Sequence, residues 1–394
     1  MRWSLCLGER ERESGPNRMR IAFYAPLKPP DHPIPSGDRR VARLFISALS
    51  AGGHSVFLAS RFRSYDARGD CVRQAKLAAL GGRLANRLLH RYRQAPDTAP
   101  ELWFTYHLYH KAPDWLGPVI AKEIGIPYVV AEASDAPKQA GGPWAMGRDA
   151  AARAISRADA VIGLNSADQG CVSSLLQDAA RWISLKPFVD TASFGGQRRS
   201  HAGPPRLIAI GMMRYGDKLA SYQILGDALS RLLDLSWSLE VVGNGPARSD
   251  VEDALGAIKT RVTWTGAIGS AAIAERLAAA DLCVWPAINE AFGMALLEAQ
   301  ASGLPVVAGA GGGVGDIVVP GVTGLLTPPG DVAAFADAVR RLVSDGAERL
   351  AFGTAARHRV RSEHDIASAA QRLNSMLDQL RRPRHGVVRP PTLV

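Results

Sequence analysis

The feature that most constrains the fold of this chain is a regular alternation of short apolar runs with longer stretches of helical periodicity. Stretches such as Val41–Leu49 and Leu219–Leu233 place apolar residues three or four positions apart, as amphipathic helices do. Alternating strands and helices predict parallel sheets covered on both faces, and a typical sheet has about four to six strands. We therefore expect an α/β protein with two sheets, built from strands at Ile21–Ala25, Ser55–Ala59, Leu102–Tyr106, Tyr128–Ala131, Ala160–Leu164, Leu207–Ile210, Leu239–Val242, Val262–Thr265, Leu282–Trp285 and Pro305–Ala308.

A segment rich in Gly, Ser and Pro divides the chain into two similar halves. This segment, Thr191–Pro205, has no helical or strand periodicity and is typical of a linker. Each half predicts a doubly wound, Rossmann-like domain, and the two domains would face each other across a cleft. Ligands of such sheets bind at the carboxyl ends of the strands, which would line that cleft. The expected units are an N-terminal domain over 19–190, a C-terminal domain over 204–363, a helix over 364–380 that packs back on the first domain, and disordered ends over 1–18 and 381–394.

Composition and the N-terminal sequence point to a cytoplasmic protein. The chain has 394 residues, 47% of them hydrophobic, which is enough for two cores. No apolar run approaches the roughly 20 residues that span a bilayer, and Glu9–Glu13 carries five charges where a signal peptide is apolar. The four cysteines show no C-x-x-C spacing, which argues against a zinc site and against disulfides. Met19, where the first strand pattern begins, is a candidate start; a native peptide containing Arg2 or Cys6 would contradict it.

Positive charge is concentrated in one segment, residues 61–93. It holds nine Lys or Arg residues against two Asp residues, within a chain of net charge +10. Nucleic acid, anionic lipid, a phosphorylated substrate and a solvated helix face would each explain such a stripe. The chain contains no recognisable nucleic-acid-binding module, so we expect no nucleic-acid partner. An anionic membrane surface or a lipid-linked acceptor fits the segment, with peripheral attachment to the inner face of the membrane.

The glycines do not form a dinucleotide-binding fingerprint. A dehydrogenase of this fold needs G-x-G-x-x-G directly after its first strand, yet Pro26–Gly37 has one glycine, at its end. The cluster Gly309–Gly315 has Val314 where the third glycine would stand. The sequence therefore argues against a nicotinamide-dependent enzyme.

The segment 285–303 carries the strongest chemical pattern in the chain. A strand ends at Trp285, Glu290 follows in a loop, a helix is predicted to begin near Phe292, and Glu298 lies inside that helix. The first backbone amides of a helix have no partner within it and favour an anion such as phosphate. Carboxylates accept hydrogen bonds from sugar or ribose hydroxyls. A nucleotide sugar has both features, a diphosphate flanked by hydroxyl groups.

The wider pattern resembles the signature of the retaining glycosyltransferase family 4. Glu290, then A-F-G, then Glu298 with seven residues between, precede A-Q-A-S-G-L-P-V-V-A. Gly311–Gly313, Asp316–Leu326 and Pro329–Asp331 then follow in family order. The resemblance implies the two-domain GT-B fold, with the acceptor on the domain over 19–190 and the nucleotide sugar on the domain over 204–363. Further, it implies a nucleotide diphosphate sugar as donor, a glycan or lipid-linked acceptor, and neither a cofactor nor a metal. It also implies that Glu290 contacts the donor sugar, that Glu298 contacts the ribose, and that the sugar or phosphate meets the amides of Phe292, Gly293 and Met294.

The leaving diphosphate needs positive charge, and no Asp-x-Asp pair is present to hold a divalent cation. Arg214 and Lys218 follow the first strand of the second half, where the family supplies an Arg and a Lys that bind the diphosphate. Their separation is four positions, where five is usual. Ser36 and Gly37 resemble the phosphate-facing loop of the first domain, with Ser36 where the family often has a second glycine. The family's retaining reaction is described as a front-face attack, which requires no side-chain nucleophile.

Two further groups face the expected cleft. The family commonly places a histidine after the third strand in contact with the donor sugar; His107 and His110 both follow that strand, and we favour His107. Glu132 and Asp135 end the next strand, where they would bind acceptor hydroxyls or cap a loop.

By resemblance, the nucleotide base would lie against residues that end further strands of the second half. Ordinary glycine turns would explain the same pattern. Two rival functions also stay open, a nucleotide-sugar epimerase of the same fold and a non-catalytic protein that binds sugar nucleotides. The candidate base-pocket residues are Gly243, Gly266 and Ile268.

Overall fold

The structure is a computed structural model and describes residues 18–34, 36–165, 168–196 and 203–381. The ends expected to be disordered lie outside the described residues except for Arg18 and Arg381, whose guanidinium donates a hydrogen bond to the Arg18 carbonyl over 3.1 Å. Across the described ranges, no helix is both long and apolar enough to cross a membrane.

The first half of the chain forms a parallel six-stranded sheet of order β2-β1-β3-β4-β5-β6. The order reverses between β1 and β3, which makes their carboxyl ends the topological switch point where ligands of such sheets bind. Strand β5 is buried at every position, which explains why it reads as an uninterrupted apolar run. The strands are β1 Arg20–Tyr24, β2 Ser55–Ser60, β3 Leu102–Leu108, β4 Tyr128–Ala133, β5 Ala160–Gly163 and β6 Trp182–Ser184. The helices are α1 Gly37–Ala51, α2 Cys71–Gln94, α3 Gly117–Ile124, α4 Ala145–Arg157 and α5 Asp168–Ser173.

The second half forms another parallel six-stranded sheet, of order β12-β11-β10-β7-β8-β9. Here the switch point lies between β7 and β10, as in the classical Rossmann order. Strands β10 and β11 at its centre are fully buried. The strands are β7 Arg206–Ile210, β8 Ser238–Val242, β9 Val262–Gly266, β10 Leu282–Trp285, β11 Val306–Gly309 and β12 Gly324–Thr327. The helices are α6 Asp217–Ser230, α7 Arg248–Ala254, α8 Ser270–Ala279, α9 Met294–Ala301, α10 Val314–Ile317, α11 Val332–Ser344, α12 Gly346–Glu363 and α13 Ile366–Arg381.

The α/β fold with two doubly wound sheets is confirmed, and the strand count is corrected. Strands β6 and β12 are absent from the ten predicted strands. Both are short and lie at an edge of their sheet, so neither carries the long apolar run of a central strand. Part of the predicted linker is also structured, because 191–194 form a 3₁₀ turn and Phe194 packs into the core of the second half.

The last helix, α13, returns to the first half of the chain. It packs along α1, and Leu373, Met376 and Leu377 are buried in the core of the first sheet. The Asn374 amide donates to the Gly52 carbonyl over 3.0 Å, at the end of α1. The chain therefore crosses between its halves twice.

Candidate active site

The switch point of the second sheet brings together two of the predicted catalytic residues. Lys218 lies in the first turn of α6, and its Nζ forms an ion pair with Oε2 of Glu290 in the loop after β10. The indole nitrogen of Trp285 donates to the same oxygen over 3.2 Å, and the Lys218 Nζ lies 5.4 Å from the centre of the Trp285 ring. A cation and a carboxylate thus meet at the carboxyl ends of β7 and β10.

Arg214 lies four residues before Lys218, and its carbonyl accepts a hydrogen bond from the Leu219 amide over 3.1 Å. It is exposed in the loop between β7 and α6, and within the described chain its guanidinium forms neither an ion pair nor a hydrogen bond. Lys28, in the loop after β1, lies close enough to Arg214 for the guanidinium charge to affect its pKa. Burial lowers the pKa of Lys28, and Asp38 opposes that shift. Three guanidinium groups lower the pKa further, those of Arg63, Arg39 and Arg214.

The glycine cluster after β11 shapes the loop that carries Glu290. A Cβ atom on Gly312, whose φ is +58°, would lie 2.0 Å from the Glu290 carbonyl oxygen, and one on Gly313 would lie 2.2 Å from that of Ala291. The Gly313 amide donates to both carbonyls, over 3.2 and 3.1 Å. These glycines allow two loops to touch backbone to backbone, which is a role distinct from cradling a dinucleotide.

Helix α9 begins two residues later than predicted. It starts at Met294, and Gly293 caps it with φ +72°, so the Phe292 amide lies outside the helix. A left-handed cap of this kind suits glycine, which has no Cβ to oppose it. The Phe292 side chain is 9% exposed and packs into the core of the first half. The predicted anion-binding end of this helix therefore lies against the first domain.

Glu298 joins the two halves. It is 2% exposed, and its Oε1 lies 2.5 Å from Nη1 of Arg40 on α1. Burial raises the pKa of Glu298 to about 7, while Arg40 acts to lower it. The carboxylate predicted to contact a ribose is thus held by an arginine that the sequence pattern did not reveal, because the two residues lie far apart in the chain.

The switch point of the first sheet holds His107. Its Nδ1 lies 3.1 Å from Oδ1 of Asp38, in the first turn of α1, where Gly37 is exposed and Ser36 Oγ accepts a hydrogen bond from the Arg39 amide. Burial acts to lower the pKa of His107, but neighbouring carboxylates outweigh it and raise that pKa. The alternative, His110, packs its ring against Trp144 with the centroids 5.8 Å apart.

The candidate base-pocket residues end β8 and β9, at the same edge of the second sheet. A Cβ atom on Gly243 would lie 1.8 Å from the Gly211 carbonyl oxygen, so this glycine packs against the loop after β7. Gly266 has φ +73° with open space around its Cα, and Ile268 is half-buried on the core of the second half. Their contact with a base stays a prediction.

One more contact between the halves was not predicted. The Asn165 amide, which follows β5, donates to the Ala291 carbonyl over 2.9 Å, next to Glu290. An asparagine after a strand is too common in loops for its sequence to indicate such a partner.

Comparison with known proteins agrees with this arrangement. A sucrose-phosphate synthase from Thermosynechococcus elongatus superposes with a TM-score of 0.69 at 21% identity, over 92% of this chain and 99% of its own. A glycosyltransferase from Rickettsia africae superposes with a TM-score of 0.72 at 14% identity, over 93% of this chain and 99% of its own. HepE from Anabaena, solved in complex with UDP, superposes with a TM-score of 0.69 at 18% identity, over 92% of this chain and 100% of its own. The two sheets and their meeting switch points define the GT-B class of fold.

Within that class of fold, the second half of the chain matches a known protein family. Residues 204–345 match the family described as glycosyl transferases group 1, which confirms the resemblance drawn from the sequence. Glycogen synthase of Mycobacterium tuberculosis is 33% identical over 197 residues, covering 49% of this chain and 44% of the relative. Sulfoquinovosyl transferase of Arabidopsis thaliana is 30% identical over 181 residues, covering 45% and 34%. The chain thus spans less than half the length of these curated relatives.

Proposed function

We propose that this protein is a retaining glycosyltransferase that moves a sugar from a nucleoside diphosphate sugar to a hydroxyl of a glycan or lipid-linked acceptor, without a metal ion. The observation that carries the proposal is the ion pair between Lys218 and Glu290 at the switch point of the second sheet. Arg214, which forms no ion pair within the described residues, lies in the loop that leads into the helix of Lys218. Two cations and one hydroxyl-binding carboxylate match a diphosphate joined to a sugar. The relatives named as glycosyltransferases support the same reading.

In the proposed reaction the acceptor oxygen attacks the anomeric carbon on the face from which the diphosphate departs. The bond between that carbon and the phosphate oxygen breaks, and the acceptor proton passes to the phosphate oxygen. Arg214 and Lys218 stabilise the charge that develops on the diphosphate, as preorganised cations do in place of a metal. Lys218 exchanges its Glu290 partner for phosphate, which frees Glu290 to accept hydrogen bonds from the donor sugar.

Thermal-shift screening with UDP, GDP, ADP and their sugars, in EDTA, tests this proposal. We expect one nucleotide to raise the melting temperature of the wild type and to do so less in Glu298→Ala. Product analysis by NMR should then show a sugar transferred with its anomeric configuration retained. Donor consumed to give a different free nucleotide sugar would favour an epimerase, and binding without turnover would favour a non-catalytic protein.

We also propose that α2 binds an anionic membrane surface. Its exposed residues Val72, Lys76, Leu80, Arg83 and Arg87 are spaced by four, four, three and four positions, so they form one stripe that mixes apolar and basic side chains. Such a stripe lies at a lipid interface with its apolar groups inserted and its cations at the headgroups.

Vesicle sedimentation tests the membrane proposal. Phosphatidylcholine vesicles that contain phosphatidylglycerol should bind the wild type more strongly than vesicles without it. Lys76→Glu with Arg83→Glu should remove the difference, whereas Lys259→Glu, before β9 in the second half, should retain it. Binding that is indifferent to anionic lipid would contradict the proposal.

A further inference from the structure

A buried carboxyl group lies beside His107 and has no part in the reaction described above. In the parallel pair β3·β4, Tyr106 pairs with Ala131 and Leu108 with Ala133, so His107 and Glu132 are neighbours across the two strands. Both have left-handed backbones, with φ of +60° and +57°. Such conformations are uncommon outside glycine and concentrate at functional sites.

One oxygen of this carboxyl group has no partner. The Tyr106 hydroxyl acts to lower the pKa of Glu132, and the Oε2 of Glu132 is buried and, in the described chain, has no hydrogen-bond partner. A buried polar atom without a partner costs free energy comparable to a lost hydrogen bond, so a native protein keeps few of them. The position of this one, at the switch point of the first sheet and beside the predicted donor contact, indicates that a ligand supplies the missing partner.

The neighbouring acidic residue serves a different purpose. Asp135, three residues further on, accepts two hydrogen bonds from the Arg148 guanidinium, over 3.0 and 2.9 Å. Each of its two oxygens therefore has a partner within the fold. Glu132, near the end of β4, has a buried oxygen without one in the described chain.

We propose that Glu132 binds the acceptor, with Oε2 forming a hydrogen bond to an acceptor sugar hydroxyl while Tyr106 and His107 hold the carboxyl group in place. This inference rests on the proposed transfer reaction and assigns its acceptor side to the first sheet. A neutral polyol fits the position better than an anionic acceptor, because negative charge already lies there: Asp38 on α1 and Asp168 on α5 act on both Glu132 and His107.

The chemistry of the group agrees with this role. Burial raises the pKa of Glu132 to about 7, His107 and Tyr106 act to lower it, and Asp38 and Asp168 act to raise it. The ionised carboxylate accepts a hydrogen bond from a hydroxyl, and the protonated form donates one. Either form can therefore hold an alcohol, and neither requires a charged acceptor.

Ligand-observed NMR on the UDP-loaded protein tests the proposal with a panel of neutral polyols. The probes are glucose, galactose, mannose, N-acetylglucosamine and myo-inositol, each titrated into wild type, Glu132→Gln and Glu132→Met. We expect at least one probe to bind the wild type, and to bind Glu132→Met about 10- to 100-fold more weakly, as expected for loss of a hydrogen bond to a charged group. UDP affinity should stay unchanged in both variants, which shows that the donor side is intact.

The matched control is Glu123→Gln on α3, an exposed glutamate that lies 3.8 Å from Arg93. It should bind every probe as the wild type does. Equal binding by wild type and both Glu132 variants would overturn the proposal, as would the absence of binding by any probe to UDP-loaded wild type. If Glu132→Met fails to fold, unchanged binding by Glu132→Gln together with an unchanged His107 pKa by NMR overturns it. Failure to bind any nucleotide would instead count against the proposed function itself.

Discussion

At the scale of single residues, two carboxylates of the candidate site are each paired with a cation. Glu290 is paired with Lys218 within the second half, and Glu298 with Arg40 across the two halves. A buried carboxylate that loses its only cation is strongly destabilising. We therefore expect the buried pair of Glu298 with Arg40 to stabilise the structure, and both carboxylates remain proposed contacts of the donor.

Replacing Arg40 by Met should make stability fall with pH. The pKa of Glu298, about 7, lies above the ordinary value for Glu, so its contribution to stability is present at low pH and lost as pH rises through that value. Without Arg40 the pKa rises further, and the ionised carboxylate becomes more costly. We expect Arg40→Met to lose about 3 kcal/mol of unfolding free energy near pH 8 and much less near pH 5.

Urea unfolding across this pH range measures the effect. The double variant Arg40→Met with Glu298→Gln serves as the control, since it has no carboxylate to leave unpaired, and should recover most of the loss at the higher pH. An equal loss at both pH values would mean that the ionised Glu298 carboxylate is not the source of the destabilisation.

At the scale of elements, loop-to-loop contacts place the catalytic groups. The loop after β10 has non-glycine residues with positive φ, Ala287 at 58° and Asn289 at 47°, and it touches Gly312 and Gly313 through its carbonyls. Strain of this kind persists only where the surroundings enforce it. The position of Glu290 therefore depends on the absence of a side chain in the neighbouring loop.

Gly312→Ala should displace Glu290 and weaken nucleotide-sugar binding about ten-fold or more, because its Cβ would lie 2.0 Å from the Glu290 carbonyl. Gly53→Ala is a matched control, since Gly53 also has positive φ, +92°, but open space around it. Both variants should lose roughly 1–2 kcal/mol of stability from the strained backbone. Calorimetric titration should show weakened binding in Gly312→Ala alone; equal affinities would contradict the role of this contact.

Sequence patterns predicted the strands that are buried, because burial requires a run of apolar residues. They did not predict contacts between residues that lie far apart in the chain. Strands β10 and β11 are fully buried and read as apolar runs, whereas the edge strand β12 starts at a glycine and does not. The start of α9 was misplaced because Gly293 adopts a left-handed cap, which A-F-G-M does not distinguish from a first helical turn. Arg40 lies in an ordinary amphipathic helix, and its partner Glu298 is known only once the halves are assembled.

The choice between Glu132 and Asp135 shows the same limit. Both end β4 and look alike in sequence, and the difference arises from Arg148, thirteen residues further on in α4, which reaches back to Asp135. Local pattern thus located the acidic group at the carboxyl edge of the sheet. Only tertiary contacts decide which carboxylate keeps an oxygen without a hydrogen-bond partner.

At the scale of the whole molecule, helix α13 contributes buried residues to the core of the first half. Leu373 is 1% exposed, on α13, and its neighbours include residues of α1 and β1. Leu373→Ala should cost about 3 kcal/mol of unfolding free energy, as expected for a large-to-small change in a core. Gln371→Ala, exposed on the same helix, should cost almost nothing.

Hydrogen exchange locates this effect. In Leu373→Ala we expect faster exchange of the α1 amides and little change in β10 and β11, because the cavity lies in the first core. Faster exchange confined to the second half would show that α13 belongs energetically to the other domain.

The central claim is that fixed cations, Arg214 and Lys218, hold the donor diphosphate in place of a metal ion. Calorimetric titration in EDTA of whichever of UDP, GDP and ADP binds the wild type most tightly tests it most directly. Arg214→Met should bind about 10- to 100-fold more weakly, as expected for loss of a charge-assisted hydrogen bond, while Lys259→Met should match the wild type. Equal affinity of Arg214→Met and wild type, or wild-type binding that disappears in EDTA, would contradict the account.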